Sequence, residues 1–130
     1  MKIKTDQFGE IEFDDDIIIE FGEGIIGFEN LKKFILISEE DGLFYWLTSV
    51  EEPQIVFPLF PAILLEENYP SEENCEAFGI VKLSKDVSEI TINLKAPIYI
   101  NHDEKRGFQK IIDNDKFEIE RKLFIESKSE

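Results

Sequence analysis

Residues 89–95, with the sequence EITINLK, carry an apolar side chain at every second position. A period of two places the three apolar side chains on one face of an extended strand and the polar residues on the other. This alternation is typical of an antiparallel strand with one buried and one hydrated face. The same period recurs at residues 11–14, 17–21 and 117–125. The sequence therefore predicts an all-β protein.

Residues 34–37 (FILI) and 43–47 (LFYWL) are instead apolar at every position, which predicts strands covered on both faces. Glu40-Asp41-Gly42 lies between these two runs and predicts a hairpin turn. The prolines should mark strand ends or edges, because proline has no amide hydrogen to donate; they are Pro53, Pro58, Pro61 and Pro97.

Other connections are short. We expect turns with positive φ at Gly24 and Gly27, one helical turn at residues 28–33, and a loop or short helix at residues 66–76. Many short strands with almost no helix predict a small single-domain antiparallel β-barrel-like fold over residues 1–130. One or two short helical turns accompany the strands, and the last five residues are expected to be frayed.

Charge is concentrated in the first two thirds of the chain. The 130 residues have a formal net charge of -15, and residues 34–81 contain ten acidic residues but no Lys or Arg. Such a region has a field of one sign unless the fold brings the C-terminal bases alongside it. This field disfavours nucleic acid, whose phosphates need cations, and favours a basic partner. The alternative is that the acidic surface only provides solubility.

Several function classes have no support in the sequence. One His and one Cys allow neither an internal disulfide nor a Cys/His zinc cluster, and low cysteine use points to the cytoplasm. No glycine-rich phosphate-binding motif and no apolar run of membrane-spanning length is present. We therefore expect no cofactor, no membrane association, no direct nucleic-acid contact and a monomer in the free state.

Two chemical alternatives remain open. Paired carboxyl groups can perform general acid–base catalysis, so an acidic carboxylate-based hydrolase is possible in principle, although no motif fixes such a pair. Residues 14–16 are three consecutive aspartates that offer oxygen ligands to calcium, but the EF-hand spacing is absent.

Three segments together carry a family pattern. They are residues 19–29 (IEFGEGIIGFE), residues 47–53 (LTSVEEP) with Val56-Phe57 after them, and residues 92–101 (INLKAPIYIN) with 107–109 (GFQ) after them. In this order and spacing they resemble the flagellar assembly factor FliW family. Two positions depart from the family pattern: Ile26 stands where the family usually shows Pro, and Phe60 stands where it usually shows Asp.

The resemblance implies a non-enzymatic regulator that binds two proteins in the cytoplasm. One is flagellin, through its C-terminal part. The other is the carbon storage regulator CsrA, a small basic RNA-binding dimer that represses flagellin translation. Binding CsrA relieves the repression, and accumulating flagellin occupies the factor and frees CsrA. This is a partner switch driven by mass action.

The candidate contact residues fall into three groups. Acidic residues are suited to attract a basic partner, aromatic residues between prolines are suited to anchor one, and two asparagines belong to the third family segment. The candidates are Glu51, Glu52, Pro53, Phe57, Phe60, Glu66, Glu67, Asn93 and Asn101. The alternative roles are a hydrated face for the acids and packing over the barrel end for the aromatics. Asn93 is expected to be exposed or bonded to a loop, and Asn101 to lie in a turn.

Overall fold

The structure of the protein, a computed structural model, describes residues 1–124, so the predicted frayed end lies outside the described residues. It consists of strands joined by turns and short 3-10 segments. The strands are β1 (Lys2–Thr5), β2 (Gly9–Glu12), β3 (Ile19–Phe21), β4 (Lys33–Ser38), β5 (Tyr45–Ser49), β6 (Val56–Pro61), β7 (Glu76–Lys82), β8 (Thr91–Asn101), β9 (Arg106–Gln109) and β10 (Arg121–Lys122). The 3-10 turns are Asp15–Ile17, Ala62–Leu64 and Val87–Glu89.

Strands β3 to β9 form a closed barrel. Their order is β8-β7-β6-β5-β4-β3-β9, and β9 also pairs with β8 and so completes the ring. Every pair in the ring is antiparallel except β3–β9, which is parallel. The predicted all-β, barrel-like fold is confirmed, with this one parallel pair as the feature that alternation alone does not reveal.

The barrel closes where Phe21 of β3 lies opposite Gly107 of β9. The Phe21 ring is fully buried, and a Cβ atom built on Gly107 would lie 2.3 Å from its Cζ atom. No side chain fits in that space, because real Cβ contacts are never so short. Gly107 is therefore the position at which the backbone of β9 comes close enough to cover the aromatic ring.

Three apolar clusters make up the core. The largest fills the barrel with residues such as Phe34, Leu47 and Phe78. A second packs the first half of β8 against the loops around Tyr69 and Phe117. The third lies beneath the separate β1–β2 hairpin. This burial of apolar surface is the dominant favourable term in folding.

Strand β8 bends where its register with β7 shifts. Ile98 pairs with Phe78 and Asn93 with Ile80, so the segment between them bulges outward opposite Gly79. Pro97 lies in this bulge and not at a strand end, which corrects the expectation for it. Pro58 also lies inside a strand, where β6 has a partner on β5 but its ladder with β7 begins only at Leu59. Both prolines therefore sit where one side of the strand has no partner.

One local prediction was wrong and one was confirmed. Residues 28–33 contain no helix: the Leu31 amide donates to the Phe28 carbonyl oxygen at 3.0 Å in a single turn, and β4 begins at Lys33. The turn before it has φ values of 70° at Gly24 and 90° at Gly27, as predicted.

The predicted strand at residues 117–125 shortens to β10, and its residue 125 lies outside the described residues. Phe117 and Leu123 are buried as expected, but Ile119 is 61% exposed. The period of two ends early because the chain turns between Phe117 and β10 and no longer lies flat on the barrel.

Candidate protein-interaction surface

The fold brings C-terminal bases beside part of the acidic region. The Arg121 Nη1 atom donates to the Glu66 Oε1 atom at 2.6 Å. Lys110 Nζ lies 3.0 Å from Glu72 Oε2, and His102 Nε2 lies 2.8 Å from Glu76 Oε1. The Arg121 and Lys110 contacts reduce the field around residues 66–76, although Glu67 is exposed and has no ion pair within residues 1–124.

The turn between β4 and β5 keeps its negative charge. Glu39, Glu40 and Asp41 are all exposed, and none of them forms an ion pair with a base in the described part of the chain. The Gly42 amide donates to the Glu39 carbonyl oxygen at 3.0 Å and closes the turn. We call residues 39–42 the acidic turn. It carries three consecutive acidic side chains, none of them ion-paired within residues 1–124.

A groove of about 670 Å³ lies beside the acidic turn. Glu39 and Glu40 line it together with aromatic and aliphatic residues from the start of β5, the end of β6 and the 3-10 turn after β6. We call it the β4–β5 groove. Leu43 and Leu64 on its walls are 49% and 69% exposed. Large aliphatic side chains left in water beside uncompensated carboxylates are typical of a protein-binding surface.

Aromatic contacts hold the floor of the β4–β5 groove. The rings of Phe44 and Phe60 meet edge to face with centroids 6.4 Å apart, and Phe44 also meets Trp46 at 5.9 Å. Phe60 is thus a half-buried residue that lines the groove. Edge-to-face pairs of this kind fix ring positions, so the groove is present before any partner arrives.

Glu51 has a structural contact that the sequence did not indicate. Its Oε1 atom accepts hydrogen bonds from the amides of Lys32 at 2.8 Å and Lys33 at 2.9 Å. The carboxylate therefore ties the turn after β5 to the start of β4. Glu52 is exposed and its side chain makes no such contact within the described residues, so its carboxylate faces solvent. Pro53 beside it is half-buried.

Phe57 lies away from the β4–β5 groove. Its ring packs on Phe28 with centroids 5.2 Å apart and on the buried Phe34 at 6.2 Å. Phe28 itself is 37% exposed. Phe57 and Phe28 form a small aromatic pair near Glu52, separate from the groove residues.

Both candidate asparagines form turns. The Asn93 Oδ1 atom accepts from the amides of Lys95 and Ala96 at 2.9 and 3.0 Å, within the bulge of β8. The Asn101 Oδ1 atom accepts from the amides of Asp103 and Glu104 at 3.1 and 3.0 Å, between β8 and β9. Asparagine is suited to such turns because its side chain imitates a backbone acceptor.

The described side chains form no cluster suited to a metal ion, and two carboxyl groups have lowered pKa values. Residues 1–124 contain no group of three His, Cys, Asp or Glu side chains placed to hold a metal ion, and residues 14–16 point to solvent in a 3-10 turn. A general acid needs a raised pKa. Hydrogen bonds from Gly27 lower the pKa of Glu29, and those from Ser88 lower the pKa of Asp86. Burial raises the pKa of the Cys75 thiol, which opposes reactivity.

None of the helical segments in residues 1–124 is long and apolar enough to cross a membrane.

The sequence missed Leu43 and Leu64 as surface residues, because an apolar residue beside a strand is ordinarily assigned to the core. The informative signal was their position next to turns, where a strand no longer covers them.

Comparison with known proteins places this geometry in a family. The family model described as "FliW protein" matches residues 2–123. A flagellar assembly factor FliW of Caldanaerobacter subterraneus is 37% identical over 99% of this chain and 97% of its own length. The corresponding protein of Caldicellulosiruptor saccharolyticus is 35% identical over 94% of this chain and 90% of its own length.

A crystal structure of the flagellar assembly factor FliW superimposes with a TM-score of 0.84 at 30% sequence identity. It covers 96% of this chain and 98% of the solved one. Sequence and backbone therefore agree over nearly the same residues. The match of the family model over residues 2–123, together with relatives that are 35–37% identical over nearly their full length, shows that the chain belongs to the FliW family of flagellar assembly factors.

Proposed function

We propose that this flagellar assembly factor acts as a cytoplasmic partner switch between flagellin and a CsrA-type translational regulator. It binds the regulator and relieves repression of flagellin translation, and it binds newly made flagellin as a chaperone-like partner. The proposal starts from the family resemblance, in which both partners are expected. In this proposal the protein binds its partners and catalyses no reaction.

One structural observation carries the proposal. The acidic turn retains three uncompensated carboxylates, whereas the charges of Glu66 and Glu72 are matched by Arg121 and Lys110. Most acidic residues of the described chain form no ion pair, so the feature that sets the acidic turn apart is the exposed apolar groove beside it. An uncompensated acidic site beside exposed apolar groups supports recognition of a basic protein, and it repels RNA.

Mass action explains how such a switch responds to flagellin. If both proteins draw on one limited pool of the factor, accumulation of one partner lowers the amount available to the other. Flagellin displaces the regulator whether the two compete for one surface or whether binding at one surface weakens binding at another. The effect of flagellin on the regulator is therefore measured with both partners present.

Co-elution tests the proposal directly. The purified protein is mixed at micromolar concentration with flagellin or with the CsrA-type regulator from the same bacterium, and the mixture is run by size-exclusion chromatography at moderate salt. We expect a shifted peak with each partner. Elution of both partners at their free positions would contradict the proposal.

A further inference from the structure

We propose that the β4–β5 groove is the docking site for a basic amphipathic segment of the partner protein, with one apolar anchor seated between Leu43 and Leu64. Lys or Arg side chains beside the anchor face Glu39 and Glu40. This inference rests on the proposed function, because it assigns a surface and a chemistry to one of its binding events.

The apolar part of the argument is the exposure of the groove walls. Leu43 and Leu64 come from different parts of the chain and are 49% and 69% exposed, and Ile63 next to Leu64 is 60% exposed. Burying such side chains is favourable only when a partner covers them. Leu43 and Leu64 both line the β4–β5 groove, so their exposed surfaces lie on one face of the molecule.

The floor of the groove is rigid. Tyr45 pairs with Ser38 on β4 and with Leu59 on β6, and Phe60 pairs with Gly79 on β7. These residues belong to the closed ring, so their backbones cannot shift without opening the barrel. A preformed floor lowers the ordering cost of binding.

Charge selects the kind of partner. Two glutamates line the groove, Asp41 adjoins them, and no Lys or Arg is among its described lining residues. Phosphate-rich RNA and anionic lipid are repelled by this arrangement, whereas a basic protein is steered toward it. Electrostatic complementarity of this kind raises the association rate more than the intrinsic affinity.

The size of the groove favours a segment over a broad protein face. A volume of about 670 Å³ admits a few side chains and falls within the range of sites that bury a compact ligand. A helix or extended stretch with an apolar ridge and flanking cations meets both the apolar walls and the acidic rim.

Paired variants test the assignment. In one variant Leu43→Ser and Leu64→Ser remove the apolar walls, and in another Glu39→Lys and Glu40→Lys reverse the rim charge. Two control variants make the same kinds of change elsewhere: Leu83→Ser with Val87→Ser, which are 48% and 57% exposed, and Asp113→Lys with Asp115→Lys. All are checked by thermal unfolding, and Leu64→Ser alone replaces the serine pair if that pair lowers the melting temperature.

The purified CsrA-type regulator and purified flagellin serve as probes in calorimetric and stopped-flow titrations. We expect each groove variant to lose about tenfold or more in affinity for the more basic of the two, as for residues at the centre of an interface. The charge variant also shows a weaker salt dependence of its association rate than the unaltered protein. The controls bind like the unaltered protein.

The groove assignment would be overturned if the unaltered protein binds the more basic partner and the groove variants bind it as well as the control variants do. That outcome would leave the proposed function intact. Loss confined to the less basic partner would also overturn the groove assignment. If the unaltered protein binds neither probe, the proposed function fails together with this inference.

Discussion

The side chain of Phe44 leans on that of Phe60, with ring centroids 6.4 Å apart and an interplanar angle of 72°. This edge-to-face contact anchors the end of the acidic turn on β6. It explains why Leu43 and the carboxylates before it are held beside the β4–β5 groove. The geometry of the candidate surface thus depends on core-like packing directly beneath it.

Gly107→Ala tests the closure of the barrel. A methyl group at this position would overlap the Phe21 ring, so we expect a loss of stability of about 1–3 kcal/mol, as is typical of overpacked cores. Thermal and urea unfolding measure the effect. Gly22→Ala is the matched control, because a Cβ there meets no atom within 4 Å. Equal melting temperatures for the two variants would refute the account of the closure.

Gln109 joins two of the segments that carry the family pattern. Its Oε1 atom accepts from the Ile26 amide at 2.8 Å, and its Nε2 atom donates to the Ala96 carbonyl at 3.0 Å. Proline at position 26 would have no amide hydrogen to donate, so this contact belongs to a chain with Ile there. Gln109→Ala removes both bonds, and we expect it to lower the free energy of unfolding by roughly 1–2 kcal/mol.

Hydrogen exchange gives the specific readout for the Gln109 bridge. The Ile26 amide should exchange faster in Gln109→Ala, whereas Gln109→Glu, which keeps an acceptor, should preserve part of its protection. An exposed glutamine elsewhere, Gln54→Ala, serves as the control. Unchanged Ile26 protection in Gln109→Ala would show that the bridge does not form in solution.

Charge reversal separates structural from electrostatic roles at the turn after β5. Glu52→Lys should slow association with the CsrA-type regulator at low salt and leave the melting temperature unchanged, since Glu52 faces solvent. Glu51→Lys should also lower stability by about 1 kcal/mol, because the amides of Lys32 and Lys33 lose their acceptor. An unchanged association rate for Glu52→Lys would remove this turn from the steering surface.

Asp86 gives a prediction about pH. Ser88 donates to Asp86 Oδ1 from its hydroxyl at 2.8 Å and from its amide at 3.0 Å, and these bonds hold the pKa of Asp86 below its ordinary value. A depressed pKa contributes stability above the pKa of the unfolded chain, and this contribution is lost as pH falls through the folded pKa. An NMR titration should show the low pKa, and Ser88→Ala should raise it. Identical Asp86 titrations in both proteins would show that the Ser88 hydroxyl does not lower the pKa of Asp86.

The strand pattern was predictable because side-chain alternation depends only on neighbouring residues. Residues 89–95 indicated a half-buried strand, and Thr91–Asn101 forms one. The parallel β3–β9 closure was not predictable, since it depends on Gly107 meeting Phe21 from a distant part of the chain. The bulge that accommodates Pro97 likewise results from a register shift against β7.

The candidate surface was predicted only in part. The sequence pointed to Phe60 and to the excess of acidic residues, but only the fold shows which acidic residues form ion pairs and which do not. Arg121 contacts Glu66 only in the folded chain, so the sequence alone does not show that the charge of Glu66 is matched. Leu64 became a surface candidate only when its exposure beside the acidic turn was seen.

A competition measurement tests the central claim most directly, namely that this barrel works by exchanging protein partners. The complex with the CsrA-type regulator is formed first, flagellin is added in increasing amounts, and free regulator is followed by the return of its RNA binding. The account predicts release of the regulator as flagellin saturates the factor. Regulator that stays bound at saturating flagellin would contradict it.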